Sequence, residues 1–410
     1  MTPDIQRLLI FLILLIGIQG GIDYYLYRKL SKYELFYPDL TPIVLRVFKA
    51  TSLLMICVLI STTMERMLTG GNVQSGRIPQ ILIAVWYLPK YPIALLLSIA
   101  DFFGLSRKVI LTFSGYTTKQ SKDVNVERRK VLHSIGLGLA SVPFIATAKG
   151  VFQTIYDVEI RRLELVLPGL STVFDGFRVV QISDIHTGSF FGTSYLTEVV
   201  DSINALQPDL LAITGDFVNF EPNEIVPFIP VLSKLKAKHG VFGSLGNHDH
   251  YMSEDKHAML QQMISNCNIE LLINEAREIS IASSKLIIAG TDNTGFAQHF
   301  ADIDKTFKGI DTSNPVILMA HDPTFWSMKV RDIPCIDLML SGHTHGGQIG
   351  IEFLGTAYSP AQYVYEHWSG LYQSGASHLY VNRGLGTVGP PIRIGIRPEI
   401  TVITLRSPVA

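Results

Sequence analysis

The stretch Gly342-His343-Thr344-His345-Gly346-Gly347-Gln348 closes an ordered series that starts at Asp184-Ile185-His186 and runs through Gly215-Asp216, Gly246-Asn247-His248-Asp249 and Ala320-His321-Asp322. Each polar cluster follows or ends an apolar run of strand length: Phe177 to Ser183, Leu210 to Thr214, Val241 to Leu245, Val316 to Ala320 and Ile336 to Leu340. Continuous apolar runs bounded by turn residues read as strands buried on both faces, and helical segments at Ser194 to Leu206 and Asn223 to Lys238 fall between them. Polar residues at the carboxyl ends of such strands meet at one edge of a sheet. Motifs far apart in sequence are therefore expected in one pocket. Further strands at Lys285 to Ala289, His378 to Asn382 and Glu399 to Leu405 are more than one sheet comfortably holds. The expected architecture is two stacked sheets with helices outside, with a single wide sheet as the alternative.

The remaining part of the 410-residue chain has a different texture. Up to about residue 150 it consists of long apolar stretches with basic connectors, so residues 1–150 read as a membrane region and 151–410 as a globular domain. Four stretches approach the length needed to cross a bilayer: Leu8 to Leu26, Val44 to Thr63, Ile78 to Phe103 and Val131 to Ala148. The third contains Pro79, Pro89 and Pro92, which kink it or split it into a shorter span and an interfacial piece. No obvious buried ion pair or acidic relay marks the spans, since Lys49 and Asp101 lie near span ends. A transporter is accordingly not the preferred class.

Basic residues set the expected orientation. Arg28, Lys29 and Lys32 lie between the first two spans, and Arg107, Lys108, Lys119, Lys122, Arg128, Arg129 and Lys130 lie between the last two. The opposite connector offers Arg66 and Arg77 and the N-terminal tail Arg7. The positive-inside rule then makes the chain a multi-pass protein of the inner or cytoplasmic membrane, with the globular domain on the periplasmic or extracellular side. Arg128-Arg129-Lys130-Val131-Leu132 also resembles a twin-arginine export signal, although basic residues before a last span are equally what ordinary topology requires.

The formal net charge is −1 and no basic stripe interleaves with aromatics, so nucleic acid is not an expected partner. Cys57, Cys267 and Cys335 lack zinc-site spacing, and buried thiols are expected rather than a disulfide between the latter two.

The chemistry lies in the five motifs. Asp184 and His186 would face opposite ways along a regular strand, but at a strand end, where the chain turns, both reach one ion. Asp216 is the natural bridge between two cations, because a carboxylate shares its charge between ions that otherwise repel. Asn247 supplies a neutral carbonyl, His321 and His343 supply imidazoles to the second ion, and His345 completes the first. Mixed carboxylate and imidazole ligation suits Mn, Fe or Zn better than an all-oxygen Mg site. A water bridging two such ions would be deprotonated near neutral pH and attack phosphorus in line. His248 is left over as a non-ligand that protonates the leaving oxygen or stabilises charge there, oriented by Asp249.

The ordered set Asp-x-His, Gly-Asp, Gly-Asn-His-Asp, His and Gly-His-x-His resembles the calcineurin-like metallophosphoesterases. Gly-His-Thr-His-Gly-Gly-Gln with the later Arg383-Gly384-Leu385-Gly386 is similar to their membrane-associated bacterial branch. Over about residues 158 to 405, this resemblance implies a four-layer αββα sandwich and two divalent metal ions (Mn, Fe, Zn or Mg). The ligands implied are Asp184, His186, Asp216, Asn247, His321, His343 and His345, with His248 catalytic. One departure is Asn219, where the family often has Asp in Gly-Asp-x-x-Asp; it touches support of the site rather than metal binding.

The expected function is hydrolysis of a phosphoester or pyrophosphate bond, on a lipid-linked substrate at the membrane surface or on a soluble phosphoester. The alternative is a membrane-anchored sensor or assembly factor that binds a phosphorylated ligand without cleaving it. Arg383 and Arg393 are candidates for contacting a substrate phosphate. His250 and His299 are candidates for lining the pocket, while His133, His239, His257, His367 and His378 read as surface or interfacial. Tyr363, Tyr365, His367 and Trp368 form an aromatic cluster, read first as packing and otherwise as a border to an acyl chain or membrane interface.

Overall fold

The computed structural model describes residues 3–35, 37–68, 77–114, 126–353 and 356–408. Lys119, Lys122 and the side chains of Arg7, Arg66, Arg128, Arg129, Lys130 and His133 lie outside that description. The chain divides into two compact units, Met1–Val151 and Phe152–Ala410.

The first unit is built from α1 (Pro3–Leu30), α2 (Leu40–Leu68), α3 (Ile78–Tyr87), α4 (Lys90–Phe113) and α5 (Val126–Phe152). Four segments are long and apolar enough to cross a membrane: Leu9–Glu34, Leu40–Glu65, Ile78–Leu111 and Ser134–Tyr156. Ile10, Phe11, Leu14, Leu53, Leu95 and Phe102 are exposed on the helix surfaces, an arrangement that water penalises and lipid solvates. The third segment is two helices. α3 starts with Pro79 in its first turn and ends before Pro89, whose ring cannot continue a helix, and α4 then runs past Phe103 to Phe113. At 24 residues α4 is about 36 Å long, enough to cross by itself.

The expectation that the spans hold no buried ion pair is corrected. Lys90 Nζ lies 2.6 Å from Asp23 Oδ1, with both side chains buried, and the ammonium sits over the rings of Trp86 at 3.7 Å and Phe48 at 4.7 Å. Asp101 accepts a hydrogen bond from Tyr25 at 2.8 Å and is ion-paired with Lys29. The sequence hid these pairs because each partner lies on a different helix, about 70 residues away.

Among the described residues, the second unit carries sixteen strands. In chain order they are β1 (Glu159–Val166), β2 (Arg178–Ile182), β3 (Leu210–Thr214), β4 (Val241–Ser244), β5 (Glu270–Leu271), β6 (Glu275–Ile281), β7 (Ser284–Gly290), β8 (Thr294–Gly295), β9 (Gln298–His299), β10 (Val316–Met319), β11 (Leu338–Ser341), β12 (Ile351–Phe353), β13 (Thr356–Tyr358), β14 (Gly370–Ser374), β15 (Ser377–Val381) and β16 (Glu399–Arg406). One sheet has the order β1-β16-β2-β3-β4-β5 and the other β14-β15-β11-β10-β7-β6. The two inner faces pack together through Val179, Leu210, Ala212 and Phe242 against Ile288, Ile317, Met319, Leu338 and Leu340.

Alternate residues of the same strands face outward. Val180, Leu211 and Ile213 pack with Leu196, Val199 and Ile203 of helix Ser194–Ala205, and with Leu260 and Ile264 of helix Glu254–Ser265. Leu318 and Met339 pack with Phe325, Trp326 and Val330 on the far side. Period-2 burial on both faces thus produces the four-layer αββα sandwich rather than one wide sheet. Between sheets, Gln181 donates to the Ser341 carbonyl at 2.9 Å and to Thr214 Oγ1 at 3.0 Å, which locks together the ends where the polar motifs emerge. Cys57, Cys267 and Cys335 are free thiols.

Lys90→Met leaves the Asp23 carboxylate buried without its cation, and the full chain in detergent should lose about 3 to 5 kcal/mol of stability. Adding Asp23→Ala should restore most of that loss. Equal thermal unfolding midpoints for Lys90→Met and the native chain would show that the pair contributes nothing.

Candidate metal centre

The five polar motifs emerge at the carboxyl ends of β2, β3, β4, β10 and β11. At the first, the second and the last the backbone turns sharply: Asp184, His186, Asp216, His343 and His345 all have left-handed φ, between 46° and 70°. This turning answers the parity problem posed by Asp-x-His. The chain leaves β-geometry at Asp184, so both side chains reach the same side, at a local backbone cost of about 1 to 3 kcal/mol per residue. Gly215, at φ 80°, brings the β3 end against Gly246, and a Cβ there would lie 2.7 Å from the Gly246 nitrogen. At Gly342 a Cβ would lie 1.8 Å from Ser183 Oγ, so β11 meets β2 only because that position has no side chain.

Three overlapping groups of side chains result. Asp184, His186 and His345 form one, Asp216, His321 and His343 another, and His186, Asp216 and His248 a third that joins them. His345 Nε2 lies 3.2 Å from Asp184 Oδ1, His186 Nε2 3.5 Å from Asp216 Oδ2, and His321 Nε2 3.1 Å from Asp216 Oδ2. Asn247 Oδ1 lies 2.9 Å from His343 Nδ1 while its amide nitrogen donates to Tyr251 at 2.7 Å, so the Asn247 carbonyl is turned to the cluster. His321 Nδ1 is held by the Thr214 carbonyl at 2.7 Å, which turns its Nε2 inward.

The donor set fits divalent cations. His186 Nε2 and His345 Nε2 are buried and have no hydrogen-bonded partner, an arrangement that costs energy unless another group fills the space. Separations of 3.1 to 3.5 Å between nitrogen and carboxylate oxygen match those of neighbouring ligands about 2 Å from a shared ion.

Electrostatics agrees with this arrangement. Burial lowers His186 to about 3 and His343 to about 4, and it holds His345 well below the imidazole range. Burial also lifts the Asp184 carboxyl to about 6, against the pull of His321. His321 is the exception: although burial works against its charge, Asp216 and Asp184 raise it to about 10. Burial likewise opposes ionisation of Asp216, yet His321, His248 and His186 hold it well below the usual carboxylate range. The cluster thus binds positive charge even when the only source is a proton.

Three expectations change in role. Asp249 does not orient His248. Its carboxylate accepts from the backbone N–H groups of Asp216 at 2.9 Å, Phe217 at 2.9 Å, Val218 at 3.3 Å and Gly246 at 3.0 Å, clamping the loops after β3 and β4. His248 is oriented by the Asn219 carbonyl, 2.7 Å from its Nδ1. The departure at residue 219 therefore leaves that support intact, because backbone rather than side chain provides it.

Arg383 and Arg393 are buried and engaged. Arg383 binds Ser369 and Glu352. Arg393 donates to the carbonyls of Arg383 at 2.9 Å and Gly386 at 2.7 Å. The loop they hold donates from Leu385 N–H to Ser183 and from Gly386 N–H to Asp184. Both arginines brace the Asp184 turn and present no guanidinium to a substrate.

Among the remaining histidines, His250 pairs with Asp292 at 2.7 Å and stacks on His257 and Phe300. His299 is exposed, and His378 is buried rather than superficial. Sequence reasoning missed Tyr251 and the contact of Tyr365, whose hydroxyl lies 3.2 Å from His343 Nε2. Tyr251 carried a signal, four residues after Asn247 on the same loop. Tyr365 carried none beyond its place in an aromatic cluster.

A sandwich with Asp, Asn and His side chains gathered at the strand ends of both sheets defines a metal-dependent phosphoesterase. Residues 177–347 match the sequence profile described as "Calcineurin-like phosphoesterase", and residues 6–154 match "Probable Calcineurin-like phosphoesterase, transmembrane domain". The chain is 37% identical over 241 residues to "Uncharacterized metallophosphoesterase YkuE" of Bacillus subtilis, covering 57% of this chain and 80% of that one. It is 26% identical over 405 residues to "Uncharacterized metallophosphoesterase Cj0846" of Campylobacter jejuni, covering 97% and 98%. With "Phosphodiesterase YaeI" of Escherichia coli it shares 29% over 287 residues, covering 68% and 99%. The chain belongs to the calcineurin-like metallophosphoesterase family, with the membrane-associated bacterial members, and is a membrane protein.

Asp249→Ala would strand four buried N–H donors, and thermal unfolding of the full chain should report a loss of more than about 3 kcal/mol. An unfolding midpoint equal to that of the native chain would show the clamp to be dispensable.

Proposed function

We propose that the chain hydrolyses a phosphoester or pyrophosphate bond using two divalent cations, with the globular unit on the outer side of the membrane and a lipid-linked phosphate as substrate. The observation that carries the reading is the membership of Asp216 in two groups, one with His186 and one with His321 and His343. Asp184, His186 and His345 would hold one ion, Asn247, His321 and His343 the other, and Asp216 both. When bound, the cations supply Lewis-acid polarisation of the phosphoryl group and acidify a water at neutral pH.

The chain's own residues supply the rest. His248 stands beside His186 with ring centroids 4.8 Å apart, and its Nδ1–H is held by the Asn219 carbonyl. That tautomer leaves Nε2 facing the cluster. A protonated His248 donates from Nε2 to the leaving oxygen. Asp249 keeps the loops of Asp216 and Asn247 in register so that these donors do not move apart during the reaction.

The membrane location rests on the four apolar segments and the match to a transmembrane domain. The outward orientation is supported by the basic residues between the first two and last two spans. The preference for a lipid-linked substrate follows from anchoring, which confines the site near the bilayer.

His248→Ala should retain bound metal while hydrolysis of an aryl phosphate by the manganese-loaded full chain falls by about 10² to 10⁴. Asp216→Asn should lose both metal and activity. Metal binding without turnover across soluble and lipid phosphates would favour a sensor that only binds its ligand.

Metal uptake should depend on pH through His321. Because its pKa is raised to about 10, the metal-free protein carries that proton at neutral pH, and a ligating nitrogen must release it. Affinity measured by calorimetry should rise about tenfold per pH unit between about pH 7 and 9. Affinity flat across that range would remove His321 from the ligand set.

A further inference from the structure

The hairpin of β12 and β13 has its polarity reversed. Its register pairs Ile351 with Tyr358, Glu352 with Ala357 and Phe353 with Thr356. Along such a hairpin, the face turned to the body of the protein is ordinarily apolar and the outer face polar. Here Glu352 is the residue turned inward, accepting from Arg161 Nη2 at 2.6 and 2.8 Å and from Arg383 Nη1 at 2.9 Å. Ile351, Phe353 and Tyr358 are 69%, 66% and 55% exposed, and Tyr363 and Val364, which follow, are 86% and 75% exposed. An apolar surface held outward by a half-buried ion-pair network, anchored on the buried Arg383, is not a loose loop with incidental hydrophobic residues. It is a surface suited to a solvent other than water.

The position of the hairpin in the chain identifies that solvent. Arg161, which grips Glu352, lies on β1, and β1 starts three residues after the last apolar span ends at Tyr156. Five residues cover at most about 18 Å, so chain connectivity keeps the backbone of Arg161, whose side chain holds Glu352, within that distance of Tyr156. The outward residues, with tyrosines beside aliphatic and phenyl side chains, are the types that settle at the boundary between headgroups and acyl chains.

We propose that the outer face of the β12–β13 hairpin, with Tyr363 and Val364, docks on the lipid bilayer and inserts Ile351, Phe353 and Tyr363 among the upper acyl chains. Two residues beyond Tyr363, Tyr365 touches His343 at 3.2 Å, so the docked surface runs continuously to the metal-ligand cluster. Docking stands independently of the hydrolytic reading, since it requires no turnover.

The test uses the full chain in vesicles of phosphatidylethanolamine and phosphatidylglycerol, with photoreactive p-benzoylphenylalanine in place of Phe353, Tyr363 or Met259. Met259 is also exposed, but its helix packs beside β5, at the sheet edge opposite β1. Lipid adducts should be at least about fivefold more abundant at Phe353 and Tyr363 than at Met259. Phe353→Glu should reduce the adducts at Tyr363 by a similar factor while metal content and turnover of a soluble aryl phosphate stay unchanged. Equal adducts at all three positions, adducts between two copies of the chain in place of lipid, or no adducts at Phe353 would each overturn the proposal.

Discussion

Burying Asp184, Asp216 and Asp249 side by side is the constraint on which the rest of the catalytic unit depends. Three carboxylates removed from water cannot remain ionised without compensation, and the protein answers each differently. Asp249 is surrounded by backbone N–H donors. Asp184 accepts from the His343 N–H and faces His345. Asp216 accepts from the backbone N–H of His248 at 2.9 Å and faces His186 and His321. Asp216 is also the carboxylate shared by two groups of metal-ligand type. Positive charge must neutralise it, and without cations His321 holds a proton that its burial disfavours.

The fold exists to hold that arrangement rigid. The turns that carry these Asp and His side chains belong to two different sheets, so the geometry is only as precise as the contact between sheets. Apolar side chains such as Val179, Ala212, Ile317 and Leu340 fill the interior, and Gln181 ties the strand ends to Ser341 where the polar motifs begin. The left-handed backbone at Asp184, His186, Asp216, His343 and His345 is then over-determined by its surroundings, which is the condition under which such strain persists.

Much of this was legible in the sequence. A strand-length apolar run ending in Asp, Asn or His is a local signal, and its repetition placed the metal-type residues at one sheet edge before any contact was known. What escaped depends on contacts that composition does not encode. Asp249 resembles a partner for its neighbour His248, yet its carboxylate points back to the β3 loop. Arg383 and Arg393 have the chemistry of phosphate binders but are consumed by Glu352 and by backbone carbonyls. The pairing of Asp23 with Lys90 joins α1 to α4, and no spacing rule links residues so far apart.

One rule governs both units. A charge leaves water only where a partner meets it, as Lys90 meets Asp23 in the membrane unit and Arg383 meets Glu352 in the catalytic unit. An apolar side chain remains outside the core only where the medium accepts it. On the helices of the first unit that medium is lipid, which explains why Leu53, Leu95 and Phe102 face outward. On the β12–β13 hairpin the same inversion recurs, with carboxylate inward toward Arg161 of β1 and phenyl ring outward. Inverted polarity at both places follows from one physical cause if the solvent at both places is the bilayer. A purely aqueous setting would demand a separate explanation for each.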